Sequence, residues 1–319
     1  MTNVEYSTLT LAEYFAGIGG VSTGAKLAGV KPVYACEFDA NDQNISYFYK
    51  NVHKLNDPDQ VFDMRPIRQV ENAYPATIAH FSPSCRSFST NHARSETDVD
   101  IANARKIAEL AIQYPWVTLE QVAGYLSSHS YQIIRDSLFK NEYRITTRVV
   151  NMSSYGVPQN RNRLWLIATR EPGINPIIPY NVPPHINTWD NAIGHLLPNL
   201  EPWPNVPLGY RKRLIKTKRL HPDATSFLVA KSGLMACGNN RPCFTLRRIF
   251  SRVNCENAAR SLSYVNPQGK WFDAKTLEIF RILSGFPDSW KTFDSPLNFA
   301  GFGDCVPPLF YQQLLAANF

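Results

Sequence analysis

Cys85 lies in FSPSCRSFST, directly after the apolar run ATIAHF. A thiolate at the end of a buried strand could act as a nucleophile, although a lone cysteine is more often a small buried residue. Two further groups shift that balance. Glu120 closes the β-rich segment WVTLEQV, and QNRNR, Gln159 to Arg163, stands before RLWLIAT. A thiol, a carboxyl group and the guanidinium of Arg161 or Arg163 could then surround one pocket. Upstream, FAGIGG comprises Phe15, Ala16, Gly17, Ile18, Gly19 and Gly20, between a β-rich run and a helical one. Glycines there let a ligand approach the backbone, and a helix N-terminus offers free N–H groups. Glu37, at the end of the next β-rich run, could accept bonds from ribose hydroxyls, and Asp63 in VFDMRPI is a third candidate. The glycine loop alone would suit a nicotinamide enzyme, an S-adenosylmethionine enzyme or a plain tight turn. Together these groups point to a nucleoside-containing cofactor of open identity.

The elements that must hold these groups are legible as an alternation. TLTLAEYF, PVYACEF, QVFDM, ATIAHF, WVTLEQV, RITTRVV and RLWLIAT read as strands, with helices over 20–29, 40–52, 102–113 and 129–140. Strands alternating with helices predict an α/β fold with a doubly wound, mostly parallel sheet, because parallel neighbours need a crossover. In such a sheet the strand ends carrying these candidates converge on one cleft. After Arg170 the character changes: nine prolines fall between Pro172 and Pro207. They predict a linker into a smaller, irregular module over 172–262. Helical patterns return in AKTLEIFRILSGF and PLFYQQLLAANF, so 263–319 is expected to rejoin 1–171 in the larger domain.

With 319 residues, 44% hydrophobic and 12% aromatic, the chain can build a substantial core and is not disordered. MTNVEYSTLT has no basic stretch leading into an apolar one, and no apolar run is long enough to span a bilayer. Six cysteines without a CxxC pair suggest reduced thiols, and no metal-ligand cluster is read. A cytoplasmic protein without membrane contact is expected. The net charge of +7 is uneven: residues 160–260 hold 15 Lys/Arg against 5 Asp/Glu, leaving −3 elsewhere. YRKRLIKTKRL, from Tyr210 to Leu220, is the densest part. A basic module beside a slightly acidic one fits a polyanionic partner, though a solvated basic face is as common.

In this order the segments resemble the motifs of the cytosine-C5 DNA methyltransferases along nearly the whole chain. FAGIGG with Glu37 and its neighbour Phe38 resembles the cofactor motifs, extended by Asp63 and Met64. SPSCRSFS resembles the Pro-Cys-Gln-x-Phe-Ser motif, LEQV the Glu-Asn-Val motif, and YGVPQNRNR the Gln-x-Arg-x-Arg motif. LEIFRILSGFPDSW and GFGDCVPP resemble two C-terminal motifs, the latter placing Asp304 and Val306 at the cofactor. The variable basic segment lies where that family keeps its target-recognition domain. The resemblance implies methyl transfer from S-adenosylmethionine to C5 of a flipped-out cytosine in double-stranded DNA, with S-adenosylhomocysteine as product. It assigns the nucleophile to Cys85, a proton shared with the ring to Glu120, and the base O2 to Arg163 with Arg161 beside it. It further implies a monomer, a bacterial or viral source without a large regulatory extension, and a cognate restriction endonuclease as a functional partner. RSFSTNHARSETDVD, from Arg86, would be a lid over the base, or simply a surface loop.

Four positions depart from the usual motifs. Ser84 stands where the family has proline, Arg86 and Gln121 replace a glutamine and an asparagine, and Asp304 replaces an asparagine. Losing the proline should loosen the loop that aims the thiol. Arg86 could compensate by favouring the thiolate. Gln121 could shift the pocket by its extra methylene and slow the reaction. Two other readings stand beside the first: a DNA-binding relative with little activity, and a C5-methyltransferase acting on RNA.

Overall fold

The computed structural model describes residues 9–39, 43–88, 95–180, 187–206, 208–230, 235–246 and 262–319. The chain divides into two compact units. The first comprises 1–150, 162–180 and 310–319, and the second 151–161 and 181–309.

The first unit is built on a seven-stranded sheet of order β3-β2-β1-β4-β5-β8-β6. Its strands are β1 (Thr10–Tyr14), β2 (Lys31–Cys36), β3 (Val61–Asp63), β4 (Ile78–Phe81), β5 (Trp116–Gln121), β6 (Arg144–Asn151) and β8 (Asn162–Thr169). All seven strands expected from the sequence are present. The helices are α1 (Gly20–Leu27), α2 (Gln43–Asn56), α3 (Asp98–Ala111) and α4 (His129–Lys140), each within a few residues of its expected range. β1 to β5 pair in parallel, and β8 runs antiparallel to β5. Both faces of the central strands β1, β4 and β5 are buried, as crossovers require. Tyr14, Phe81, Ile107, Leu119, Ile134 and Leu166 share one buried core. Trp165 packs on Phe310 and Tyr311 of the C-terminal helix α9 (Pro308–Ala316).

The second unit is less irregular than expected. Its described part contains an antiparallel sheet of order β10-β9-β12-β13, from Ala236–Gly238, Phe227–Ala230, Leu262–Val265 and Trp271–Asp273. The two-residue strand β7 (Gln159–Asn160) pairs in parallel with β11 (Cys243–Phe244). The basic run forms helix α6 (Leu208–Leu220), which buries Tyr210, Leu214 and Thr217 and exposes Arg211, Lys212, Lys216, Lys218 and Arg219. Tyr210 and Leu214 join Trp203, Phe227, Val229 and Val265 in a core of their own. Helices α5 (Trp189–Ile193), α7 (Leu277–Leu283) and α8 (Leu297–Asp304) complete this unit. The return to the first unit is confined to Phe310–Phe319, shorter than the expected 263–319, because β12 and β13 belong to the second sheet.

Candidate active site at the strand ends

Parallel register brings the candidates in the first unit to one sheet edge. Tyr14 lies opposite both Cys36 and Phe81, Cys36 opposite Asp63, and Phe81 opposite Leu119. The segments leaving these strands carry the glycine loop, Glu37, Met64 and Cys85, and Glu120 stands in β5 itself, next to its final residue Gln121.

The glycine loop turns sharply after β1. Phe15 (φ 63°), Gly17 (φ 52°) and Gly19 (φ 80°) are all left-handed, a conformation costly for the one non-glycine among them. The N–H groups of Phe15 and Ala16 both reach the Cys36 carbonyl, and Gly17 N–H donates to Glu37 Oε2 at 2.8 Å. Ile18 is buried, and Gly20 opens α1. A Cβ at Gly17 would meet nothing within 4 Å, whereas one at Gly19 would sit 3.1 Å from the His53 ring. The loop is therefore supported from beneath and open above Gly17. His53 reaches the Gly17 carbonyl (3.2 Å) and Gln60 (2.7 Å), and burial pulls its pKa down. Sequence reading missed this support, although a histidine on the inward face of α2 was its signal. Glu13, buried in β1, accepts from the N–H and hydroxyl of Ser22 in the first turn of α1. Burial pushes its carboxyl up to about 8, against the pull of those hydrogen bonds.

Asp63 is engaged by the Tyr34 hydroxyl (2.8 Å) and by Arg65 through both the guanidinium and the backbone N–H. Burial raises its pKa, and these bonds outweigh that and leave it lowered. Phe38 and Met64 are half-buried beside the strand ends.

Cys85 is half-buried, between exposed Ser84 and Arg86. The lost proline does not leave its loop untethered. Ser82 donates to the Phe15 carbonyl (3.1 Å), the Pro83 carbonyl accepts from Gln121, and Phe88 N–H closes a turn on the Cys85 carbonyl. Ser87 reaches Asp100 in the capping box of α3. Arg86 has Asp39 at 3.8 Å, so its charge is shared with a carboxylate instead of acting on the thiol alone. Residues 89–94 of the expected lid lie outside the described residues.

Glu120 pairs with Arg163: Nε lies 2.7 Å from Oε1, and both side chains are nearly buried. The antiparallel β5–β8 register explains the meeting, because Gln121 faces Leu164 and Arg163 comes next. Arg161 behaves differently. Its buried guanidinium donates to the carbonyls of Leu246, Gly303 and Cys305, all within the second unit. Gln159 likewise bridges Leu246 N–H and the Leu283 carbonyl there. Asp304 ends α8 exposed, and Val306 is buried. Among the described residues no group of three or more His, Cys, Asp or Glu is placed to hold a metal ion, and no helix is long and apolar enough to cross a membrane.

Sheet order and edge loops together define a Rossmann-like methyltransferase fold. Residues 9–318 match the family described as C-5 cytosine-specific DNA methylase, and the chain belongs to that family. Type II methyltransferase M.HindV of Haemophilus influenzae is 28% identical over 174 residues, covering 52% of this chain and 55% of its own. M.DdeI of Desulfomicrobium norvegicum is 27% identical over 175 residues, covering 51% and 41%. The chain thus spans about half the length of these two relatives. M1.HphI of Haemophilus parahaemolyticus is 25% identical over 342 residues, covering 97% and 86%. Among solved structures, the Entamoeba histolytica methyltransferase EhMeth gives a TM-score of 0.66 at 15% identity, covering 96% of both chains. A putative DNA modification methyltransferase of an E. coli prophage gives 0.65 at 19%, covering 97% and 98%. At these identities the likeness is one of fold.

Proposed function

We propose that the protein methylates C5 of a flipped-out cytosine in duplex DNA, with Cys85 as nucleophile. The observation that carries this reading is the Glu120–Arg163 pair at the strand end beside the Cys85 loop. The Cys85 thiolate adds to C6 of the cytosine, and the electron pair moves to C5, making it a carbon nucleophile. Glu120, once it takes up a proton, shares it with N3 and the exocyclic amine, while Arg163 holds O2, and the 2.7 Å contact between the two side chains keeps both groups in register. After methylation C5 loses its proton, the Cys85–C6 bond breaks, and its electron pair leaves with the thiolate. Flipping the base costs a few kcal/mol. The exposed cations of α6 suit the DNA phosphates whose binding would offset it.

S-adenosylmethionine fits the first unit's edge, where the backbone above Gly17 is open and Phe15, Gly17 and Gly19 are left-handed. Phe15 to Gly20, Glu37, Phe38, Asp63 and Met64 would hold it there, and the resemblance adds Asp304 and Val306. When bound it supplies an electrophilic methyl group. Of the two arginines, Arg163 takes the base role and Arg161 a structural one. The second unit is the target-recognition module, and a cytoplasmic monomer serving beside a restriction endonuclease fits the Type II relatives.

The test uses labelled S-adenosylmethionine with a mixed-sequence duplex, a matched RNA, and a duplex containing 5-fluorocytosine. Label at C5 in the duplex and a covalent adduct, both lost in Cys85→Ser, are expected. Binding without transfer or adduct would leave only an occupancy role, and label confined to RNA would move the substrate.

A further inference from the structure

Gln121 is the last residue of β5 and is almost wholly buried, 1% exposed. Its Nε2 donates to the Pro83 carbonyl at 2.7 Å, and its Oε1 accepts from Val122 N–H at 2.5 Å. The amide is fixed in orientation, since turning it over would oppose donor to donor and acceptor to acceptor. Pro83 is two residues past Phe81 and Gln121 two past Leu119, the pair that ends the β4–β5 ladder. The bond therefore continues the sheet through a side chain where the backbone ladder has stopped, two residues before Cys85.

We infer that Gln121 is a positioning residue that aims the Cys85 loop, doing by a side-chain tether what a proline directly before the cysteine does by fixing φ. The inference rests on the function proposed above. Two departures from the family pattern become one matched change. The proline stands one residue earlier, at 83, and the amide is one methylene longer. An asparagine at 121 would fall short by about 1.5 Å, one C–C bond. Neighbouring strand residues alternate in direction. Glu120 accordingly meets Arg163 while Gln121 meets the loop, so one strand end sets the acid and the nucleophile relative to each other. The far side of the loop is held by the same segment, with Tyr125 edge-on to Phe88 at 4.7 Å between ring centres.

The experiment compares wild type, Gln121→Asn, Ser84→Pro and the double variant by single-turnover methyl transfer, cofactor affinity and hydrogen exchange of residues 84–88. Gln121→Asn is expected to transfer methyl about 10- to 100-fold more slowly, as for a reacting group misplaced by about 1 Å. Its cofactor affinity should stay within about two-fold of wild type, and its loop amides should exchange faster. Ser84→Pro in the Gln121→Asn background should recover most of the rate, a rescue that a merely structural defect would not show. Unchanged exchange at 84–88, or a slowed variant that Ser84→Pro leaves slow, overturns the inference. If Gln121→Asn fails to fold, Gln121→Met keeps the length without the donor and should show the same faster exchange. A wild-type protein that transfers no methyl removes the functional reading, while the exchange comparison still decides the role of Gln121.

Discussion

Gly124→Ala tests how tightly the Cys85 loop is seated. Gly124 lies in the short turn Ala123–Ser127, just past β5. Its φ is not among the left-handed ones, so alanine fits the backbone. The added Cβ would lie 2.5 Å from the Phe88 carbonyl oxygen and 3.6 Å from its carbon. Real Cβ contacts essentially never fall under 3.0 Å, and ordinary contact begins near 3.4 Å. Relief therefore requires a movement of about 0.5–0.9 Å between two backbone segments, not a rotation of a side chain. Overpacking of this kind costs about 1–3 kcal/mol, offset by about 0.4–1 kcal/mol from the stiffer unfolded chain. The net expectation is about 1–2 kcal/mol of lost stability. Phe88 is three residues from Cys85, with its N–H on the Cys85 carbonyl, so a displacement this large should slow adduct formation about 10-fold or more. The assay follows the covalent complex on 5-fluorocytosine duplex together with urea unfolding. Gly209→Ala is the control, because a Cβ there meets nothing within 4 Å and should stabilise α6 by up to about 1 kcal/mol. Wild-type adduct rate and unfolding midpoint in Gly124→Ala would refute the clamp.

Glu13 gives a pH signature. Its carboxyl is raised from 4.5 to about 8 on folding, so its contribution is complete below pH 4.5 and fades as pH climbs towards 8. The loss amounts to a few kcal/mol. Glu13→Gln should flatten that slope and be the more stable protein at pH 9, as read from urea midpoints at pH 6 and 9. Equal slopes in the two proteins would count against a buried acid under α1. Arg163→Met should cost about 3 kcal/mol by leaving Glu120 without its nearly buried cation, and methyl transfer should fall at least about 100-fold. Unfolding and single-turnover rates decide it, and an unfolding midpoint like wild type would show the pair to be solvated.

The strands of the first unit were readable because a sheet covered on both faces writes continuous apolar runs, and crossover helices separate them. The second sheet left no such trace. Its described strands are three or four residues long, and β9 pairs with β12 across more than thirty residues, so only tertiary contact selects them. In α6 the sequence displayed the cations and hid the helix, because the buried side rests on Tyr210, Leu214 and the polar Thr217. The two arginines mark the limit most sharply. Two residues apart in a β-rich segment, they should share a face by alternation. β7 ends at Asn160 and β8 begins at Asn162, so Arg161 falls at the break and the alternation does not carry across it. One guanidinium then serves three carbonyls of the second unit and the other serves Glu120. Residue type and spacing could name the pair, but only the interruption of the strand separates the guanidinium that holds backbone carbonyls from the one that pairs with Glu120.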